Sequence, residues 1–323
     1  MDRKKDFDLI MIGQITIDDV VFPEGPIRLD NMGGNVIYGL AGMYIWKQDR
    51  IGIITRMGTD FDLEELRQLT ADEVDLTGVR RMDTPNLRTI EVFDRYNNRY
   101  FLHQKWAGND KDLAPEGLDD YPEKYRGNAR GICVASMPFP WCRTLLEQLP
   151  KTDEVLLVDP HFRPLFGKDR DSWRALMPKI DIWAPSEDEL IDFFDIEAKK
   201  EDVRDYLPWM RAVTDMGAKI CLLKLGERGA MAYDRITDRT WHIPAYPSHV
   251  VDVTGCGDTF CGGFLSGYLR NMDIFEALAY GTVSASFCID HYDSRGNFLI
   301  KEEDARARLR DFLAVTPESG CLL

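Results

Sequence analysis

Hydrophobic runs and helical patterns alternate along most of the chain. The apolar runs at residues 9–13 and 51–55 are accompanied by segments of helical spacing at 35–47 and 61–69. These runs are continuously apolar, which is typical of strands that are buried on both faces of a mainly parallel sheet. Strand-like runs followed by helical segments resume at 131–136, 154–160 and 181–186. The pattern predicts an α/β fold with helices on both faces of the sheet.

The last third of the chain departs from this alternation. The runs at 219–226 and 230–234 are separated by three turn-forming residues and predict a hairpin near one edge of the sheet. Three helices, from about 258, 273 and 302, are predicted to finish the chain.

Two earlier segments also interrupt the α/β rhythm. Residues 86–105 contain two strand-like runs around Asn97 and Asn98, which are suited to a tight turn, and predict a β-hairpin. Residues 16–34 are extended and rich in turn formers. Together these segments predict a small sheet that projects from the core as a lid over a site.

No internal repeat or low-complexity linker divides the chain. We therefore expect a single domain over 1–323, with lid segments at approximately 15–33 and 86–106 inserted in it.

Composition and charge limit the partners. The 323 residues include 55 acidic and 40 basic side chains, for a formal net charge of -15. This field repels nucleic acid and acidic membrane surfaces, and no apolar stretch reaches the ~18 residues that span a bilayer. The seven cysteines are scattered without a CxxC pair, which is typical of reduced thiols. We expect a cytoplasmic protein with no nucleic-acid or membrane partner.

The segment DVTGCGD, from Asp252 to Asp258, carries the candidate chemistry. Gly255 and Gly257 leave the backbone unshielded where a helix begins, and the free N–H groups of a helix N-terminus bind anions. Asp258 could accept a proton from a substrate hydroxyl while phosphoryl charge rests on those N–H groups. This arrangement is typical of a kinase.

Other interpretations of the segment differ in strength. Asp258 could be only an acid that favours the helix dipole, with Gly262, Gly263 and Gly267 as packing glycines. A dinucleotide fingerprint is excluded because Phe260 breaks GxGxxG and the turn comes late in the chain. No GxxxxGK[ST] string exists for a P-loop.

With its context, the segment resembles the second signature, DTTGAGD, of the ribokinase-like (PfkB) family of sugar and nucleoside kinases. Cys256 stands in the usual alanine place. The resemblance implies a three-layer αβα sandwich with a mainly parallel sheet and a small β-sheet lid. Further segments match the family in order: Asp18 in GQITIDD, Gly33 and Gly34, AGND at 107–110, and KLGERG at 224–229.

The resemblance implies a set of acceptor-binding residues. Tyr38 replaces the asparagine that many sugar kinases use in GGxxxN, and Arg163 lies in a DPHFRP segment similar to the DPNxR of several members. Arg163 could bind a substrate carboxylate or phosphate, or form a surface salt bridge. The implied acceptor residues are Asp18, Gly33, Gly34, Asn35, Tyr38 and Arg163.

The resemblance also implies residues for ATP and cations. Glu189 matches the acid of an NxxE motif that acts near Mg²⁺ and its waters, with Ser186 in the asparagine place; a Ser-capped acidic helix start explains this segment almost as well. Asp252 and Thr254 are placed for a monovalent cation such as K⁺. The implied ATP-binding residues are Lys224, in a threonine place, Gly226, Gly229, Ser186 and Gly281.

The sequence as a whole predicts an ATP- and Mg²⁺-dependent kinase for an alcohol group of a small sugar-like molecule. Asp258 is the predicted base, and the amides of Gly255, Cys256 and Gly257 are part of the predicted anion hole. The alternatives are a nucleoside kinase, which Tyr38 favours slightly, and a weakly catalytic ligand sensor on the same fold. A homodimer formed through the lid is a further expectation from the family.

Overall fold

The computed structural model describes residues 4–24, 27–47, 50–95, 99–103, 107–161 and 170–322. Its main sheet has nine strands in the order β13-β12-β11-β10-β9-β8-β1-β4-β5. The strands of this sheet are β1 (Phe7–Ile12), β4 (Ile51–Met57), β5 (Asp75–Arg81), β8 (Ala129–Val134), β9 (Val155–Val158), β10 (Ile182–Trp183), β11 (Ile220–Lys224), β12 (Ala230–Asp234) and β13 (Arg239–Ile243).

All neighbours from β5 to β11 pair in parallel, whereas β11, β12 and β13 form an antiparallel meander at one edge. The central strand β1 is hydrogen-bonded to β4 on one side and β8 on the other. The predicted mainly parallel sheet with an edge hairpin is confirmed. Because the strands are parallel, their carboxyl ends lie along one edge, where ligand sites of α/β sheets form.

Helices cover both faces of this sheet, and each face has its own hydrophobic cluster. Helices α1, α8 and α9 pack together on one face, whereas α4, α5 and α7 lie on the other. None of the helices in the described ranges is long and apolar enough to cross a membrane. The helices are α1 (Asn35–Tyr44), α2 (Leu63–Leu69), α3 (Asp110–Leu113), α4 (Phe139–Gln148), α5 (Arg170–Leu176), α6 (Glu187–Phe194), α7 (Leu207–Asp215), α8 (Cys256–Asn271), α9 (Ile274–Ile289), α10 (Arg295–Phe298), α11 (Glu302–Val315) and α12 (Glu318–Cys321).

A second sheet of four strands has the order β3-β2-β6-β7. The β6–β7 hairpin predicted from the sequence is present, although Asn97 and Asn98 lie outside the described residues. The central pair β2–β6 is parallel, and the two outer pairs are antiparallel. The strands are β2 (Thr16–Val21), β3 (Arg28–Gly33), β6 (Leu87–Phe93) and β7 (Arg99–His103).

Six of these strands and helices were not predicted from the sequence: β5, α3, α7, β13, α10 and α12. Strand β5 is an edge strand whose sequence, DLTGVRR, is too polar to resemble the buried strands. A boundary also differs, because α8 begins at Cys256 and not at 258. Asp258 is therefore the third residue of the helix and not the first.

Candidate active site

The turn before α8 has a backbone conformation that requires glycine. Gly255, the N-cap of the helix, has φ 72° in the left-handed region, which side chains other than glycine adopt at a cost. Tyr38 closes the space above it, since an ideal Cβ on Gly255 would lie 2.0 Å from Tyr38 Cγ. Residues 255–258, which we call the anion turn, are thus fixed by both torsion and packing.

The amides of the anion turn differ in their availability. The Cys256 N–H donates to the carbonyl of Val253 (3.3 Å), so it is already engaged within the protein. The N–H groups of Gly255 and Gly257 donate to no group in the described part of the chain. Asp258 lies half-buried in the first turn of α8. The turn therefore presents two backbone donors close to one carboxylate.

Close helix packing holds the anion turn in place. A Cβ on Gly42 of α1 would lie 2.1 Å from the carbonyl oxygen of Thr259, and one on Gly262 would lie 2.1 Å from that of Gly39. The Thr259 hydroxyl donates to the carbonyl of Tyr38 (3.1 Å). Gly262 is thus a packing glycine, as are Gly263 and Gly267, which contact α9. Their function is to bring α1 and α9 against α8 and so to orient its N-terminus.

A buried ion pair lies next to the anion turn. The ammonium of Lys224, at the end of β11, pairs with the carboxylate of Asp159, just beyond β9. An ideal Cβ on Gly257 would lie 3.5 Å from Lys224 Nζ. Burial opposes protonation of Lys224, but Asp159 and more distant acidic groups, among them Glu189, raise its pKa above the ordinary value. The site therefore contains a charged ammonium at its base.

Ser186 and Glu189 form a capping box at the start of α6. The Ser186 N–H and hydroxyl both donate to Glu189 Oε2 at 2.8 Å, and the Glu189 N–H donates to the Ser186 hydroxyl (3.3 Å). Burial, with a contribution from the charge of Asp159, raises the pKa of Glu189 to about 7. The helix-cap interpretation of this segment is therefore correct, and it places a titratable carboxyl close to Lys224.

A cavity of about 610 Å³ opens beside the anion turn. Cys256, Gly226 and Gly229 are among the residues that line it. Gly281, predicted to contact ATP, lies under the ring of Phe260, where a Cβ would be 2.9 Å from the ring. Phe260 and Thr282 form the wall there instead. Further apolar lining comes from Tyr246, Pro247, Val250, Val253, Ala285 and Ile289.

Asp18 of β2 is buried and held by hydroxyl groups. Its Oδ1 accepts from Thr89 of β6 (2.5 Å), and its Oδ2 accepts from Thr16 (3.0 Å). A Cβ on Gly33 would lie 1.9 Å from Oδ2, so this glycine gives the carboxylate its space. Gly34, with φ 95°, is the N-cap of α1. The small sheet thus places an oriented carboxylate near the start of α1.

The other predicted acceptor residues have different surroundings. The Asn35 side chain accepts from the Gln14 N–H (2.7 Å) and donates to the Ser136 carbonyl (2.8 Å), so it joins the ends of β1 and β8. Tyr38 is buried against Gly255, and burial together with Cys288 and three carboxylates raises its pKa well above the ordinary value. Its ring is therefore packed in the protein. Arg163 lies outside the described residues.

Two buried carboxylates, Glu91 and Asp159, were not predicted as site residues, whereas the buried Asp252 was. Glu91 of β6 accepts from the Thr254 hydroxyl (3.2 Å) and thereby connects the small sheet to the anion turn. Asp252 accepts from the Thr254 N–H (2.8 Å). The sequence contained a signal for Asp159, at the end of a predicted strand in DPHFRP, but none for Glu91, whose position depends on strand pairing.

Comparison with known proteins identifies the family of the chain. Residues 33–299 match the family described as pfkB family carbohydrate kinase, which confirms the resemblance seen in the sequence and the prediction of a kinase at the level of family. A cytidine kinase of Thermococcus kodakarensis is 29% identical over 275 residues, covering 85% of this chain and 93% of that protein.

Solved structures show the same fold. A ribokinase from Arabidopsis thaliana complexed with ribose and ATP has a TM-score of 0.76 at 18% identity, covering 94% of this chain and 99% of the other. A ribokinase II from Escherichia coli in complex with ATP and Mg²⁺ has a TM-score of 0.74 at 18% identity, with the same coverage. The predicted ribokinase-like architecture is confirmed.

Proposed function

Because the chain belongs to the pfkB family of carbohydrate kinases, we propose that it transfers the γ-phosphoryl group of ATP to an alcohol of a small sugar-like molecule. In this reaction the acceptor oxygen attacks the γ-phosphorus and the bond to the β–γ bridging oxygen breaks. ADP leaves, and the hydroxyl proton passes to the carboxylate of Asp258. Asp258 acts as the general base for this step.

The observation that carries this proposal is the arrangement of the anion turn. Two backbone N–H groups, those of Gly255 and Gly257, lie within one helical turn of Asp258. Preorganised donors of this kind stabilise charge that develops on a transferred group at no reorganisation cost. Asp258 could otherwise be only a favourable acid at a helix start, but that role does not require a glycine turn with two backbone N–H groups that donate to no group in the described part of the chain.

We assign the nucleotide to the cavity beside the turn. A volume of about 610 Å³ with mostly apolar walls accommodates a base and ribose, and the Cys256 end of the cavity adjoins the anion turn. Phosphates placed at that end would lie near Gly226 and the ammonium of Lys224. Lys224 is the last residue of β11, and Gly226 comes two residues later. The base would contact Phe260 and Thr282 rather than Gly281.

Cations are assigned to carboxylates near the phosphates. Oxygen donors suit Mg²⁺, which keeps several of its waters, and we assign Glu189 to bind it through water. When bound, Mg²⁺ neutralises phosphate charge. Oε1 of Glu189 is the oxygen not used by Ser186 in the capping box. Asp252 and Thr254 are the proposed neighbours of a monovalent cation such as K⁺.

The acceptor is assigned to the space between the small sheet and α1. Asp18 is oriented by two hydroxyl groups and can accept hydrogen bonds from a polyol. We propose that the sheet acts as a lid within a single kinase domain, so that closure excludes water as a competing acceptor. Asn35 supports this region through its bonds to Gln14 and Ser136.

A nucleoside is the second candidate acceptor. The relative from Thermococcus kodakarensis, which covers 85% of this chain, is a cytidine kinase. A nucleoside also presents a ribose hydroxymethyl group, so the same base and anion turn would serve both classes. The packed ring of Tyr38 does not favour either class.

We also propose that the outer face of the small sheet forms a homodimer. Tyr100 and Leu102 are 55% and 56% exposed, and they pair with Val92 and Ile90 on the face opposite to that of Thr89 and Glu91. An exposed apolar face of this kind marks an interaction surface. Sedimentation analysis of wild type and Leu102→Glu tests this, with a monomeric wild type as the contradicting result.

The function is tested with a coupled ATP-consumption assay in Mg²⁺, with and without K⁺. The acceptor panel contains ribose, hexoses, sugar acids, polyols, cytidine, adenosine and inosine. We expect ATP consumption with at least one sugar-like or nucleoside acceptor. The proposed function is wrong if the folded protein binds no ATP analogue and consumes no ATP with any member of the panel.

A further inference from the structure

The buried pair of Lys224 and Asp159 is placed where phosphoryl charge would develop. Only 14% of the Lys224 side chain and 3% of the Asp159 side chain are exposed. A Cβ on Gly257 would lie 3.5 Å from Lys224 Nζ, so the ammonium lies beside Gly257, one of the two residues of the anion turn whose N–H donates to no group in the described part of the chain. At this depth water and salt screen a charge much less than at the surface.

Each partner is anchored by main-chain bonds at a strand end. The Asp159 N–H donates to the Val134 carbonyl (2.9 Å), and the Lys224 N–H donates to the Pro185 carbonyl (2.9 Å). The Cys261 thiol lies 3.5 Å from Asp159 Oδ2 and can donate to it. Asp159 Oδ1 is buried and accepts no hydrogen bond from the described residues. The carboxylate is therefore directed at the ammonium.

Stability does not explain this arrangement. Burying two charges costs desolvation energy that their attraction only roughly offsets, and apolar residues of similar volume usually serve as well. The Oδ1 of Asp159, which accepts no hydrogen bond from the described residues, adds to that cost. The pair fixes the position of the ammonium. A lysine side chain is flexible and would otherwise populate several rotamers.

We propose that Asp159 is a positioning residue that holds the ammonium of Lys224 against the anion turn, so that a buried positive charge joins the N–H groups facing the transferred phosphoryl group. This inference rests on the proposed function. Burial alone would lower the pKa of Lys224, whereas Asp159 raises it. The carboxylate thus keeps the ammonium both charged and in place.

The test compares the binding of Mg·AMP-PNP with that of Mg·ADP by calorimetry, which needs no acceptor. Wild type is expected to prefer AMP-PNP. Lys224→Met should reduce this preference by about 10- to 100-fold, because a charge-assisted contact to the third phosphate is lost. Asp159→Asn should reduce it by about 3- to 10-fold through the loss of positioning. The double variant should be no worse than Lys224→Met, since Asp159 acts only through Lys224.

The same variants separate positioning from a structural role. Lys224→Met leaves Asp159 buried and unpaired, so its melting temperature should fall, and adding Asp159→Asn should restore much of it. We expect no recovery of wild-type AMP-PNP preference in that double variant. Asp120→Asn is the matched control, because it disrupts the buried Arg56–Asp120 pair (2.8 Å) outside the site. It should lower the melting temperature and leave the preference unchanged.

Three results would overturn the inference. They are an Asp159→Asn variant with wild-type or greater preference for AMP-PNP, additive losses in the double variant, and a double variant that regains wild-type preference together with stability. If these occur while wild type phosphorylates an acceptor, only the positioning role is wrong. A wild type that binds neither nucleotide nor phosphorylates any acceptor would contradict the proposed function as well.

Discussion

The two sides of the candidate active site are built in different ways. The phosphate side is centred on backbone N–H groups of one continuous segment, the anion turn at 255–258, which glycine torsions and helix packing hold in place and which Lys224 adjoins. The acceptor side consists of side chains from strands far apart in sequence, such as Asp18 and Thr89, joined by the parallel β2–β6 pair. A site of the first kind is defined by local sequence, whereas one of the second kind is defined by strand pairing.

Because of this difference, one side of the site is expected to determine the reaction and the other side to determine which acceptor is used. In the proposed reaction the anion turn would serve any acceptor alcohol, because it would contact only the group that is transferred. In the same proposal the small sheet would contact the rest of the acceptor and so set specificity. Substitutions on the phosphate side should therefore affect turnover with every acceptor, and substitutions on the acceptor side should depend on the acceptor used.

Asp258→Asn is expected to have the largest effect. The amide cannot accept the hydroxyl proton, so turnover should fall by about 10³-fold or more with every acceptor. The fold and AMP-PNP affinity should change little, because Asp258 lies half-buried in a helix that many other contacts hold. Kinetics with two unrelated acceptors check this, and an effect on one acceptor alone would contradict the division between the two sides.

Gly255→Ala should destabilise the protein by about 2–4 kcal/mol, because the new Cβ would meet the ring of Tyr38 and the positive φ disfavours it. Gly226→Ala is the control: its φ is 61°, but nothing lies within 4 Å of the added Cβ, so only backbone strain of about 1 kcal/mol applies. Denaturant unfolding of both variants measures the difference. Equal losses would mean that Tyr38 does not constrain the anion turn.

Asp18→Asn should lower kcat/KM for the acceptor by about 10- to 100-fold, since one hydrogen-bond acceptor of the carboxylate becomes a donor. AMP-PNP affinity should remain within about 3-fold of wild type, because Asp18 lies on the acceptor side. The neighbouring Asp19→Asn is the control, as Asp19 lies on the other face of β2 and accepts from the Asp30 N–H (3.0 Å). If Asp18→Asn also lost AMP-PNP affinity, the acceptor side and the phosphate side of the site would not act separately.

Glu189 gives the smallest predicted effect, a pH dependence of stability. Its pKa is about 7 in the folded protein, against an ordinary value of 4.5, so between these values the folded state binds more protons than the unfolded state. The free energy of unfolding should therefore fall as pH rises from 4.5 to 7, by about 1–3 kcal/mol from this group. In Glu189→Gln this contribution is absent.

The check is urea unfolding of wild type and Glu189→Gln across that pH range, because contributions of the other carboxylates cancel in the difference. The variant should become the more stable protein as pH rises. A constant difference between the two proteins would show that Glu189 titrates normally.

Sequence predicted the parts of this molecule that depend on local patterns. The buried parallel strands, the β6–β7 hairpin and the anion turn follow from continuous runs or short motifs. The polar edge strand β5 carries no such pattern. Boundaries also shifted where tertiary packing decides them, as at Cys256.

Within the candidate site, it was harder to predict from the sequence which side chains contact each other than which residues belong to the site. Glu91 became part of the site only because β6 pairs with β2 and reaches Thr254, 163 residues away in sequence. Tyr38, a candidate for stacking on a ligand, is packed on Gly255 because a glycine there leaves room for a ring. Gly281 is covered by Phe260 in the same manner. Contacts of this kind depend on helix–helix packing, which a single sequence does not specify.

The central claim is that the anion turn and Asp258 transfer a phosphoryl group from ATP to an alcohol. It is tested most directly by mass spectrometry of the acceptor panel after incubation with ATP, Mg²⁺ and either wild type or Asp258→Asn. We predict that one acceptor gains a single phosphoryl group with wild type and that this product is reduced by about 10³-fold with the variant. Equal product from both proteins would contradict the account.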